Sequence, residues 1–173
     1  GFDFRGFTGL TTLDLHGSDI TAAQFNAIPK DIKASIKVLH LRGMFCAGFD
    51  SSSFFDFSSF TGLTTLDLKY AFITADQFNA IPQESKASIK VLHLMGVDCT
   101  GFDFSGFTGL KNLNLKRATI TADQFNAIPK DIKASIEELN LTWLDCTDFD
   151  LSGFTGLKTL DLRGSYITAA QFN

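Results

Sequence analysis

Seven positions in this chain hold side chains able to bind a metal or move a proton, and they recur at regular intervals: Asp14, His40, Asp67, His93, Asn114, Asn140 and Asp161. Each is the fifth residue of a six-residue segment with apolar first, fourth and sixth positions. On neighbouring parallel strands about 4.8 Å apart, an Asp-His-Asp-His row could hold a divalent cation or work as an acid–base pair. The same spacing lets these groups hydrogen-bond across the sheet as a structural ladder. The period favours the ladder, because each long unit brings one residue type and each short unit the other. The alternation therefore arises without any selection for a site.

Cys46, Cys99 and Cys146 fall ten residues after the first residue of their segments, where the other four units have Ile20, Ile73, Ile120 and Ile167. That column points inward, and a free cysteine there behaves as a small hydrophobe. Cysteines two strands apart are roughly 10 Å from each other, beyond the ~7 Å limit for a disulfide. Buried, reduced thiols are expected; a metal-binding or nucleophilic cysteine is the lesser alternative. No Gly-rich phosphate loop, HExxH or paired CxxC is present. Asn140-Leu141-Thr142 has the form of a glycosylation sequon but falls on an expected strand. The residues thus call for no catalytic group, metal or cofactor.

Two columns beyond the Asp/His row stand His16, Arg42, Lys69, Met95, Lys116, Thr142 and Arg163. This mostly basic stripe could grip an acidic ligand or a phosphate backbone. The competing reading, a solvated edge balanced by the adjoining Asp column, is favoured.

The elements that position these columns come from the segments themselves: LTTLDL at Leu10, IKVLHL at Ile36, LTTLDL at Leu63, IKVLHL at Ile89, LKNLNL at Leu110, IEELNL at Ile136 and LKTLDL at Leu157. Their spacings are 26, 27, 26, 21, 26 and 21, the 27 being a 21 with six extra residues in a Ser/Phe-rich insert within Phe49–Asp56. The period is 47 residues, one long unit and one short. Alternation in L-D-L and L-H-L puts apolar and polar side chains on opposite faces of a strand. No unit this short buries its apolar face alone, so neighbours must stack.

The pattern resembles the leucine-rich-repeat family, LxxLxLxxNxL, which Leu10, Leu13, Leu15 and Ile20 fit in the first unit and the other six fit at the same offsets. The resemblance covers essentially all of residues 1–173 as one domain. It implies an α/β right-handed solenoid with a concave parallel β-sheet and short convex helices in the long units. The long unit also resembles the cysteine-containing repeats of F-box substrate adaptors, although their cysteine stands two positions earlier. At the place of the family's asparagine this chain has Ser18, Met44, Ala71, Val97, Ala118, Leu144 and Ser165, and none is expected to bridge neighbouring backbones as an asparagine ladder does. Capping sequences are absent, so the chain reads as an internal slice of a longer array. Raw ends that stack on other copies are the alternative.

Between the segments, ITAAQFNAIPK at Ile20 returns nearly unchanged at Ile73 and Ile120 and begins again at Ile167. Thr21 and Gln24 have capping-box spacing, repeated at Thr74/Gln77, Thr121/Gln124 and Thr168/Gln171. A short helix is expected over about 22–27 with Phe25 and Ile28 inward, and Pro29 stops it or starts a second turn. In the short units, Phe102, Phe104 and Phe107 should pin a helix-free turn.

The tetrapeptides just before ITAxQFN and its short-unit counterpart change from unit to unit: HGSD, RGMF, KYAF, MGVD, KRAT, TWLD and RGSY. They contain the only tryptophan, Trp143, both tyrosines, Tyr70 and Tyr166, and also Phe45 and Phe72. Tyr70, Arg117 and Trp143 share one column in which the other four units have Gly17, Gly43, Gly96 and Gly164. Aromatics and arginine are the types enriched at interface hot spots, and loops on a rigid scaffold are where recognition concentrates. Neutral drift would favour small polar residues instead. A protein or peptide ligand is therefore expected at Tyr70, Arg117, Trp143, Phe45, Phe72 and Tyr166, with Arg42, Lys69, Lys116 and Arg163 beside them. End-to-end self-association is the alternative role.

Bulk properties agree. The 173 residues are 45% apolar with net charge −4, which argues against nucleic acid as the main partner. No apolar run approaches the ~20 residues of a membrane span. Unpaired thiols lean towards a reducing interior, and buried cysteines also persist outside cells.

Overall fold

A computed structural model of the chain describes residues 3–46 and 54–172. Seven three-residue strands, β1 (Thr12–Asp14), β2 (Val38–His40), β3 (Thr65–Asp67), β4 (Val91–His93), β5 (Asn112–Asn114), β6 (Glu138–Asn140) and β7 (Thr159–Asp161), form a single parallel sheet in chain order. Leu13, Leu39, Leu66, Leu92, Leu113, Leu139 and Leu160 lie opposite one another across all six pairings. The period-two alternation fixes this register, since a slip of one residue would turn every leucine out of the core.

Each complete long unit adds two helices: α1 (Ala22–Asn26) and α2 (Lys30–Ser35), α3 (Ala75–Asn79) and α4 (Gln83–Ser88), α5 (Ala122–Asn126) and α6 (Lys130–Ser135). Thr21, Thr74 and Thr121 cap α1, α3 and α5 in complete capping boxes, each cap contributing about 1 kcal/mol. Pro29, Pro82 and Pro129 both end one helix and open the next. After β7 only a 3-10 turn forms, Ala169–Phe172, rather than a third copy of α1.

The polar letters of ITAxQFNAIP and of the residues after it make bonds both between units and within them. Gln77 and Gln124 accept the capping N–H through Oε1 and donate Nε2 to the carbonyls of Cys46 and Cys99, each at 2.8 Å. Gln171 repeats the contact to Cys146 O. Asn26, Asn79 and Asn126 clamp the following short unit by both ends of the amide; Asn126 takes Asp148 O at 2.9 Å and Asp150 N–H at 2.7 Å. Ser35, Ser88 and Ser135 each donate to the first leucine of their own unit's strand segment, Leu10, Leu63 and Leu110. Lys33, Lys86 and Lys133 lie over phenylalanine rings and reach backbone carbonyls, with burial lowering their pKa. A buried cation needs such partners.

The short units are held by aromatic stacking. Phe102 lies on Phe78 with ring centroids 4.0 Å apart, and Phe104 and Phe107 surround the same ring. Phe149 on Phe125 and Phe55 on Phe25 repeat this at 4.2 and 4.4 Å. Phe55 N–H bonds Cys46 O just as Phe102 N–H bonds Cys99 O, so the six extra residues fall between Cys46 and Phe55. Of the insert within Phe49–Asp56, residues 49–53 lie outside those described. Two expectations are corrected. The Ser165 hydroxyl does bridge neighbours, donating to Leu141 O at 2.6 Å. Ile167, expected inward, is 39% exposed, because β7 has a neighbour on one side only.

Candidate functional site

Every strand leaves through the same four-residue turn, such as Leu68–Ala71, closed by Ala71 N–H to Leu68 O at 2.8 Å. The third residue of each turn has positive φ: Gly17, Gly43, Gly96 and Gly164 at 68–70°, but also Tyr70 at 55°, Arg117 at 55° and Trp143 at 64°. These three are the only non-glycine residues in that region among those described. The fold demands a left-handed residue here because the backbone ladder continues through the turn. Gly43 N–H donates to Lys69 O, Tyr70 N–H to Met95 O and Arg117 N–H to Thr142 O. Glycine adopts this conformation without penalty; a residue with a β-carbon gives up roughly 1–2 kcal/mol.

The three large side chains lean along the array. The Tyr70 ring covers Gly96 of the next unit, and the Trp143 ring covers Gly164. The Arg117 guanidinium lies 5.6 Å from the Trp143 ring centre, a cation–π pair. Trp143 remains 58% exposed and Tyr70 40%.

Phe45 and Phe72 meet across an isolated parallel bridge with centroids 5.3 Å apart. With Tyr70, Ile73, Asp98 and Thr119 they line a groove of about 600 Å³. Tyr166 bridges to Asp145 and is 75% exposed. The expected site residues thus fall into two groups, Phe45/Tyr70/Phe72 and Arg117/Trp143, and Tyr166 follows two residues after Gly164, on which the Trp143 ring lies.

The basic stripe is only partly balanced. Lys69 pairs with Asp67 at 3.3 Å, and Arg163 with Asp161 at 2.6 Å. Arg42 and Lys116 have no ion pair among the described residues. The Asp/Asn column acts on the backbone: Asp14, Asp67, Asn114, Asn140 and Asp161 each accept the N–H two residues on, which opens the turn. Asp67 also faces His40 Nδ1 at 3.4 Å and His93 Nδ1 at 3.9 Å. The latter atom is buried and makes no hydrogen bond among the described residues. Burial works to raise the Asp67 carboxyl, but His93 beside it, the Lys69 N–H and the Lys69 ammonium outweigh burial and hold it well below the usual carboxylate range. All three cysteines are buried and unpaired, their thiols pushed up by burial to about 12 at Cys46 and Cys99 and about 11 at Cys146.

The sequence matches no family model and no curated protein.

Asp98 and Thr119 belong to the groove but were not singled out from the sequence. Both occupy the last place of their tetrapeptides, the column of Phe45 and Phe72, and that shared column was the available signal. No helix among the described residues is long and apolar enough to cross a membrane.

Proposed function

We propose that the chain is a leucine-rich-repeat solenoid that binds a protein or peptide through the rim where its strands end, without catalysis. Seven in-register parallel strands in chain order support the solenoid, and the strong preference of parallel crossovers for one hand supports right-handed winding. The sheet then forms the concave face and the helices the convex one. The observation that carries the binding reading is the left-handed column. Tyr70, Arg117 and Trp143 stand where four units have glycine, in a backbone conformation that favours glycine, and all three keep an exposed side chain. Backbone outliers of this kind cluster at ligand clamps and binding sites.

The test is selection of phage-displayed peptides on the wild-type chain, followed by affinities for the triple variant Tyr70→Gly, Arg117→Gly, Trp143→Gly. Selected peptides are expected to lose at least about 30-fold, the ~2 kcal/mol of a hot spot. Peptides that hold the triple variant at full strength would move the site elsewhere, and a selection that enriches nothing would remove the reading.

End-to-end self-association is the second reading, favoured by an apolar hollow of about 460 Å³ beside β1, lined by Phe4, Phe7, Leu10, Leu13 and Ile20. Light scattering that finds a concentration-independent monomer would remove it.

A further inference from the structure

Resting on the rim-binding reading, we propose that the segment recognised is an acidic peptide, with one aromatic or aliphatic side chain seated in the groove between Phe45, Phe72 and Tyr70. The groove runs along the last tetrapeptide column, from Phe45 and Phe72 to Asp98 and Thr119, so it spans the second to the fifth unit. Its volume of about 600 Å³ is in the range that holds a large side chain with neighbouring backbone. Phe45 and Phe72, side by side at one end of the groove, present aromatic surface, 50% and 63% exposed.

Charge selects the sign of what enters. At the first two places of the same tetrapeptides, on the strand side of the groove column, three of the four units carry Arg42, Lys69, Lys116 and Arg117. Within the strand segments and tetrapeptides of these units the carboxylates are Asp67 and Asp98. Asp67 is engaged by Lys69 and His40, and Asp98 accepts the Thr100 N–H at 3.0 Å. Arg42, Lys116 and Arg117 have no carboxylate partner among the described residues. A positive rim on a chain of net charge −4 is a local departure from the whole molecule. Exposed charges add little binding energy one by one; they steer the encounter and reject a ligand of the same sign. The apolar groove therefore supplies the grip and the cations supply the choice. Few cations on an acidic chain make a poor track for nucleic acid, which relies on many neutralised phosphates.

The experiment uses two fluorescent peptides, Asp-Glu-Phe-Glu-Asp and Lys-Lys-Phe-Lys-Lys, and a labelled uridine decamer, each titrated into the chain by anisotropy. The acidic peptide is expected to bind at least ten-fold more tightly than the basic one and to weaken as salt rises. Its affinity should fall at least ten-fold in Arg42→Glu/Lys116→Glu and again in Phe72→Ser. Both variants change exposed or half-exposed side chains, and circular dichroism confirms their folding. Equal binding of the two peptides, full affinity in either variant, or tighter binding of the decamer overturns the inference. Neutral or basic peptides selected by phage that fail on the triple glycine variant overturn it alone and leave rim binding standing.

Discussion

The Trp143 indole covers Gly164 of the following unit so closely that a β-carbon built on that glycine would stand 2.8 Å from two ring carbons. Tyr70 and Gly96 repeat the relationship. A β-carbon in the next turn would therefore force the ring to shift, over and above the positive φ that both positions share.

That relationship predicts coupling. Gly17→Ala meets nothing within 4 Å and should cost only the backbone penalty, about 1 kcal/mol. Gly164→Ala should cost clearly more, and in a Trp143→Gly background its cost should fall to that of Gly17→Ala. Urea melts of the four-member cycle measure this; a coupling below about 0.3 kcal/mol would mean that the indole does not rest there in solution.

The capping glutamines have a second task, so Gln124→Glu is not conservative. Glutamate keeps the acceptor for Thr121 N–H but cannot donate to Cys99 O. Leaving that carbonyl without its donor should destabilise by about 1–3 kcal/mol. Gln24 has no such neighbour among the described residues, and Gln24→Glu should change the melting midpoint little. Equal losses at both sites would put the effect in the cap rather than in the contact between units.

Thiol chemistry should be silent in the native state. With Cys46 and Cys99 raised to about 12 and Cys146 to about 11, almost no thiolate forms at pH 8, and burial blocks access. A chromogenic disulfide reagent is expected to titrate no thiol before denaturation and three after it. Any disulfide among them would overturn the register.

Acid should weaken the fold through Asp67. Its folded pKa is depressed, so it contributes stability that is present above its unfolded value near 3.9 and lost as pH falls towards the folded one. Asp67→Asn can keep the turn, since Asn114 and Asn140 accept the corresponding N–H of Lys116 and Thr142 in their own units. The variant should be less stable than wild type at pH 7, and the difference should shrink between pH 4 and 2. Parallel pH profiles for the two proteins would rule this role out.

Local rules were enough for part of this protein. The seven strands, their shared register, the threonine caps, the proline breaks and the inward Phe25, Ile28 and Phe107 follow from alternation, spacing and turn chemistry within a dozen residues. The column holding Tyr70, Arg117 and Trp143 could be picked out as departures from glycine, though not why glycine belongs there. That reason is the left-handed turn, which is visible only once Tyr70 N–H is seen to bond Met95 O across the sheet. Partners of the helix glutamines and asparagines lie far along the chain: Gln77 meets Cys46 31 residues back, and Asn126 meets Asp148 22 residues on. So do the groove's walls, drawn from four different units. Which side chain faces which depends on how one unit stacks on the next, a long-range geometry that no spacing within a unit contains.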